Sequence, residues 1–300
     1  NMLAAVGPFA LERGLVRARR SASGRARVRI HSRDTGAVYA ADVMISEADG
    51  DPVVHYRGAS DVFLPGVPSA AAPVVLTTFG ISGAQTGRLL PTGNVLDRFD
   101  LGAGLGEVSA TVVDFARALV MVDADEMLPR FGYRSLAHAT KDRMEADTAL
   151  NAALDRVRRV ASLAIGMGDC AGKDTPKVAI LARRSGGDAG ALGCRYFVNP
   201  ERCEVHPTVA MTAAQAMAAG CLLDGSVPRR ALGKAPVPDA GDPSSFTVGI
   251  EHLQGSLSVT VGVSPCVPGE ALEPHFQLGM PSSGKYTSTV LPLADGRAFV

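Results

Sequence analysis

The 300-residue chain has no bias of charge: lysine plus arginine and aspartate plus glutamate stand at 30 each. Such a chain is not shaped as a whole to grip nucleic acid or an anionic membrane. Neither is expected as a partner, and any anionic ligand must be held locally. The chain also has few cysteines. Cys170, Cys194, Cys203, Cys221 and Cys266 are odd in number and form no CxxC pair. They suggest neither a zinc site nor a disulfide framework, and they suit a reducing, cytoplasmic compartment. No run of 18 apolar residues occurs, so no transmembrane helix is expected. The opening residues also lack the basic start and long apolar centre of a secretory signal. Methionine is not the first residue. Asn1 to Leu11 already reads as a packed-helix pattern, so the expectation is a fragment or a processed form.

What is present suits two ordinary domains. Apolar residues make up 46% of the chain, enough to fill real cores. An apolar helix reaches to about Leu15, followed by a basic loop with serine and glycine over 17–27. Residues 25–30, 38–45, 53–56, 72–78, 108–113 and 118–122 read as strands. Turn residues over 87–94 interrupt them. Leu150, Leu154, Val157, Val160, Ala161 and Ala164 recur at helical spacing. A polar linker over 169–177 leads to a buried strand at 178–181. A second small-residue helix spans 208–223, its start marked by Pro207 and Thr208. Residues 227–245, rich in proline, glycine and alanine, read as a mobile loop. Strands at 246–250, 257–263, 276–278 and 298–300 finish the chain. Helices apolar on every face must be enclosed, and curved sheet is what is available to enclose them. The reading is an α+β fold with the remainder of an N-terminal domain over 1–135 and a C-terminal domain over 136–300. The final strands are free to return to the first domain.

Several stretches resemble the PrpF-type isomerases of the diaminopimelate-epimerase-like superfamily. Asn1-Met2-Leu3-Ala4-Ala5-Val6-Gly7-Pro8-Phe9-Ala10 is similar to that family's first buried helix. Thr86-Gly87-Arg88-Leu89-Leu90-Pro91-Thr92-Gly93-Asn94 resembles its TGKLxPTGN stretch, the most specific of the matches. Asp174 to Ala179 resembles its PKVA strand, His206 to Ala214 the start of the second buried helix, and Asp295 to Val300 its DGEVYV ending. The resemblance implies two pseudo-symmetric domains, each a curved sheet wrapped round a central helix, with the active site in the cleft between them. It implies proton or double-bond shifts in small di- or tricarboxylates such as 2-methylaconitate, aconitate and oxalomesaconate, with no metal and no organic cofactor. It also places a Cys-Gly pair and a catalytic lysine before Asn1, so the catalytic residues themselves are not assigned within these 300 residues. A homodimer is compatible with this reading, as is a missing N-terminal segment that completes the site.

Moving a C=C bond in a polycarboxylate requires removing a proton while negative charge spreads onto a carboxylate. Helix amino ends suit that charge, because their free N–H groups point outward. On this basis Asn1 and Met2 are assigned to one anion site, and Thr212, Ala213 and Ala214 to another. Thr92, Gly93 and Asn94 read either as a turn or as cleft lining. His206 is a candidate donor or a capping residue, and Lys285 a candidate anion contact or an exposed loop lysine. Arg117 stands, with Ala116, where the family has asparagine-proline, and an arginine there offers a bidentate fork for a carboxylate. Further departures are Met211-Thr212-Ala213-Ala214 for GTGA, Ala216 for a cysteine, and His252-Leu253-Gln254-Gly255 for HPSG. These leave an alternative open: a divergent enzyme or binding protein that keeps the fold without the isomerase chemistry.

Overall fold

The structure is a computed structural model. It describes residues 2–33, 37–48, 51–58, 61–65, 69–102, 104–184, 190–199, 204–264 and 280–289. The chain divides into two compact units, Asn1–Gly80 with Ser283–Val300, and Ile81–Ser282. The change expected near residue 135 falls inside the second unit, because the strands on either side of it pair with one another: Leu119 with Lys177 and Asp123 with Leu181.

In the first unit, α1 (Met2–Glu12) packs on β1 (Arg25–His31), β2 (Val38–Ala48), β3 (Asp51–Val54) and β4 (Pro73–Phe79). The sheet order is β1-β2-β4, with β3 added to β2. The strand β14 (Met280–Thr289) pairs with β4 antiparallel from Ser283 onward. Alternation decides the faces of β1. Ala26 and Val28 are buried, while Arg27 and Arg29 point to solvent. Gly7 lets α1 lie close to the sheet, since a Cβ there would sit 2.9 Å from Ala41 Cβ and from Val43 Cγ2.

The second unit holds β5 (Asp97–Asp100), β6 (Glu107–Phe115), β7 (Arg117–Asp123), β8 (Lys177–Arg183), β9 (Ala191–Asn199), β10 (Glu204–Val205), β11 (Pro238–Asp239), β12 (Asp242–His252) and β13 (Gly255–Ser264). Their main order is β13-β12-β9-β8-β7-β6-β5, with β7–β8 and β9–β12 parallel. Its helices are α2 (Ala124–Met127), α3 (Lys141–Ala146), α4 (Thr148–Ala164), α5 (Met211–Cys221) and α6 (Val227–Leu232).

The helix α4 is the amphipathic helix read from the sequence. Asp147 caps it by accepting from the Leu150 N–H. Leu150, Leu154, Val157 and Ala161 enter the core with Phe99, Val120 and Phe197; each large apolar side chain there contributes about 1.5–3 kcal/mol. The helix α5 is buried on all sides from Ala213 to Cys221 and packs on β6, β7, β12 and β13.

Residues 227–245 are not one continuous loop: α6 takes 227–232 and strands take 238–239 and 242–245, which leaves 233–237 and 240–241 outside any helix or strand. Ser226 caps the Arg229 N–H, Pro228 occupies the first turn and Gly233 closes α6 in a left-handed conformation. Proline and glycine act here as start and stop signals. The strands expected at 276–278 and 298–300 lie outside the described residues. Among the described residues no helix is long and apolar enough to cross a membrane.

Candidate functional site

The stretch from Gly83 to Asn94 is tied down by two carboxylates. Asp114, fully buried on β6, accepts from the Gln85 N–H at 2.8 Å, the Thr86 N–H at 2.6 Å and the Thr86 hydroxyl at 2.9 Å. Asp97 accepts from the Thr92 hydroxyl and from Asn94 Nδ2, both at 2.8 Å. Gly93, at φ +80°, makes the turn between them. The polar groups of Thr92 and Asn94 are therefore engaged within their own turn.

The β6–β7 hairpin turns on one residue, Ala116, at φ +66°. A left-handed alanine costs about 1 kcal/mol, a conformation that asparagine tolerates better. The Ala116 N–H donates to Ile81 O at 2.7 Å, and the Ala118 N–H to Gln85 Oε1 at 2.7 Å, which fixes the turn against the preceding loop. Arg117 follows with an exposed side chain and, among the described residues, no carboxylate partner.

Around Arg117 the sheet gathers polar groups that are far apart in sequence. Lys177 opens β8, just after the cis Thr175–Pro176 bond. Its ammonium donates to Val198 O and lies 3.5 Å from Asp174. Burial lowers its pKa, and the Arg117 charge lowers it further. Burial raises the Tyr196 phenol to about 12, with Arg117 opposing. The Tyr196 ring lies 6.0 Å from that of His206.

His206 Nδ1 accepts from the Thr208 N–H at 3.0 Å, and His252 Nδ1 accepts from the Gln254 N–H at 3.2 Å. A backbone N–H can only donate, so in each neutral ring the proton sits on Nε2. Burial lowers both pKa values; the charge of Lys141 lowers that of His206 further, and the charge of His206 that of His252. Arg117 thus acts on Lys177 and Tyr196, the Tyr196 ring lies beside that of His206, and the charge of His206 reaches His252, while Asp174 and Glu251 bring negative charge to the same groups. Such a group can hold a carboxylate and supply or accept a proton.

Thr212, Ala213 and Ala214 occupy the first turn of α5. Ala210 is the residue before it, and among the described residues no side chain caps the helix. The Ala214 N–H bonds back to Ala210 O, which leaves the donors of the preceding residues without helical acceptors. Met2 is the first residue of α1; its side chain, and all of Asn1, lie outside the described residues. Lys285 is on β14 opposite Thr77, not in a loop. Strand pairing overrides the Ser-Ser-Gly signal before it, and its side chain also lies outside the described residues.

Arg117 and His206 each act on or lie beside Tyr196, and among the described residues α5 has no side-chain cap. Thr92 and Asn94 are engaged by Asp97. Lys177, Tyr196 and His252 were not singled out as site residues from the sequence. Lys177 and His252 lie inside motifs quoted only for resemblance, and nothing local marks Tyr196. No group of three or more His, Cys, Asp or Glu among the described residues is placed to hold a metal.

Comparison with known proteins follows the same lines. The chain is 36% identical over 259 residues to the putative isomerase YbhH of Escherichia coli strain K12, covering 86% of this chain and 64% of that protein. It is 35% identical over 264 residues to the 4-oxalomesaconate tautomerase of Pseudomonas putida strain KT2440, covering 88% and 64%. The chain therefore spans under two thirds of the length of these relatives. The crystal structure of a methylitaconate-delta-isomerase superposes with a TM-score of 0.67 at 24% identity, covering 97% of this chain and 70% of that one. That likeness shows the fold, the α+β diaminopimelate-epimerase-like architecture expected from the sequence. Residues 1–265 match the family described as PrpF protein, and the chain belongs to that family.

Proposed function

We propose that the protein carrying this chain is an isomerase that moves a proton, and with it a C=C bond, in a small di- or tricarboxylic acid. The observation that carries this reading is the uncapped amino end of α5, a helix enclosed on every side. Its free N–H groups favour an anion, and the Thr212 hydroxyl adds a donor. Relatives named 4-oxalomesaconate tautomerase and 2-methyl-aconitate isomerase support the class of substrate.

In this mechanism the N–H groups of α5 hold one carboxylate and stabilise the charge that spreads onto it as the C–H proton leaves. Arg117, with no carboxylate of its own, binds a second carboxylate through its fork. The neutral His206 donates from Nε2. The reaction proceeds without metal or organic cofactor, in the cytoplasm.

The test is incubation of the full-length protein in deuterated water with aconitate, methylaconitate, methylitaconate and oxalomesaconate. Deuterium entering a carbon-bound position, with an ultraviolet change from alkene migration, is the expected result. Binding of these acids without any exchange would instead make the protein a carboxylate-binding relative that has lost the chemistry.

A further inference from the structure

A second cationic feature lies wholly within the first unit. Residues 13–33 contain eight arginines and no aspartate or glutamate, although the whole chain is neutral. An open depression of about 420 Å³ is lined by Arg19, Ser21, Ser23, Arg25, Arg27 and Asp42. That volume is in the range of small-molecule sites.

The floor of the depression is preorganised. The turn from Ser21 to Arg25 is closed by Ser21 N–H to Arg25 O at 2.8 Å and Gly24 N–H to Ser21 O at 2.9 Å. The Ser21 hydroxyl donates to Arg25 O at 2.8 Å and lies 2.9 Å from the Ser23 hydroxyl. Gly24, at φ +76°, carries the turn, with the Arg20 guanidinium packed where a Cβ would point. Arg20 itself donates to Ile45 O at 3.2 Å.

The arginines divide by how their charge is met. Arg27 forms a fork with Asp42, at 2.7 and 2.8 Å. Arg25 places Nε 3.2 Å from the Met44 sulfur, a weak acceptor that carries no charge. Arg19 is exposed and, among the described residues, has no acidic partner. Three guanidinium groups thus face one carboxylate, and the Ser23 hydroxyl, 2.9 Å from that of Ser21, can turn its proton toward a ligand, while the Ser21 proton is given to Arg25 O.

We propose that this depression binds a small polyvalent anion, through the oxygens of phosphoryl or carboxylate groups. Arg19 and Arg25 supply the uncompensated charge, and Ser23 a hydroxyl contact. Arg27, held by Asp42, gives the wall its shape. Charge-assisted forks of this kind are strong, and they weaken with added salt when exposed.

The experiment is isothermal titration calorimetry of the full-length protein at low salt, with pyrophosphate in one arm and citrate in the other. Binding of pyrophosphate alone assigns phosphoryl oxygens, and binding of citrate alone assigns carboxylates. Arg19→Ser with Arg25→Ser weakens the interaction about tenfold or more. Arg17→Ser, outside the lining, and Arg134→Ser, exposed in the other unit, leave it unchanged. The single Arg19→Ser variant, at an exposed loop position, gives a smaller loss and guards against misfolding of the double variant. Absence of binding in both arms overturns the proposal, as does equal binding by the double variant or loss of binding in Arg134→Ser. Tighter binding of duplex DNA than of either small anion, weakened by Arg17→Ser as well, also overturns it and makes the patch a nucleic-acid surface.

Discussion

Every residue of α5 from Ala213 to Cys221 is buried, whereas α1 leaves Val6 38% and Phe9 52% exposed. The arginines divide in the same way. In the second unit, Arg158 is fully buried, bonded to Asp155 and to the carbonyls of Cys170 and Lys173. Arg195 is buried on the carbonyls of Leu136, Ala139 and Cys194. In the first unit the arginines of residues 13–33 stand mostly in solvent. Similar residue types thus serve as internal struts in one unit and as an open charged surface in the other. Composition does not distinguish the two uses. The acceptors that the fold places around each guanidinium do.

The largest effect that would break this comparison is at Arg158. Arg158→Met removes the bonds that hold residues 170–173 to α4, and it leaves buried carbonyls unmet. A loss of about 3 kcal/mol is expected in urea unfolding. A loss below 1 kcal/mol would mean that buried and exposed arginines do not differ as described.

Next come the two helix glycines. A Cβ at Gly220 would lie 2.5 Å from Pro228 Cγ, so Gly220→Ala should cost about 2 kcal/mol through overpacking. Gly7→Ala should cost less, because the clash is milder, the half-open α1 can shift, and alanine regains about 1 kcal/mol of helix propensity. Equal costs in denaturation would remove the distinction between closed and open units.

Ala116 sharpens the contrast in the other direction, since only a well-enclosed unit holds a strained residue. Ala116→Gly should stabilise by about 1 kcal/mol, read as a raised Tm. The smallest effect is expected at the Arg27–Asp42 pair, where the arginine side chain is 62% exposed. Arg27→Ala should change stability by less than about 1 kcal/mol.

The same physics decided what could be read in advance. The helix α4 and the small-residue core of α5 were legible because helical spacing and all-round apolarity are local properties of the chain. The helix α6 was not, since six residues are too few to show a period and proline and glycine read as breakers. At the candidate site, Arg117 and His206 stood out by chemistry. Their neighbourhood did not, because Lys177 and Tyr196 reach it only through the pairing of β7, β8 and β9. Thr92 and Asn94 read from the sequence either as a turn or as cleft lining, and the bonds of Asp97 to both depend on a partner that the motif does not include.

The anchoring of residues 83–94 on Asp114 and Asp97 bears on how the protein meets a protease. Arg88 is exposed and invites trypsin, yet the chain on either side is bonded inward. The Thr86 N–H donates to Asp114, and Leu89 O accepts from the Asp114 N–H. An enzyme that must draw its substrate into an extended groove meets a knot there. Limited digestion should begin instead among Arg17, Arg19 and Arg20, on backbone that belongs to no helix or strand.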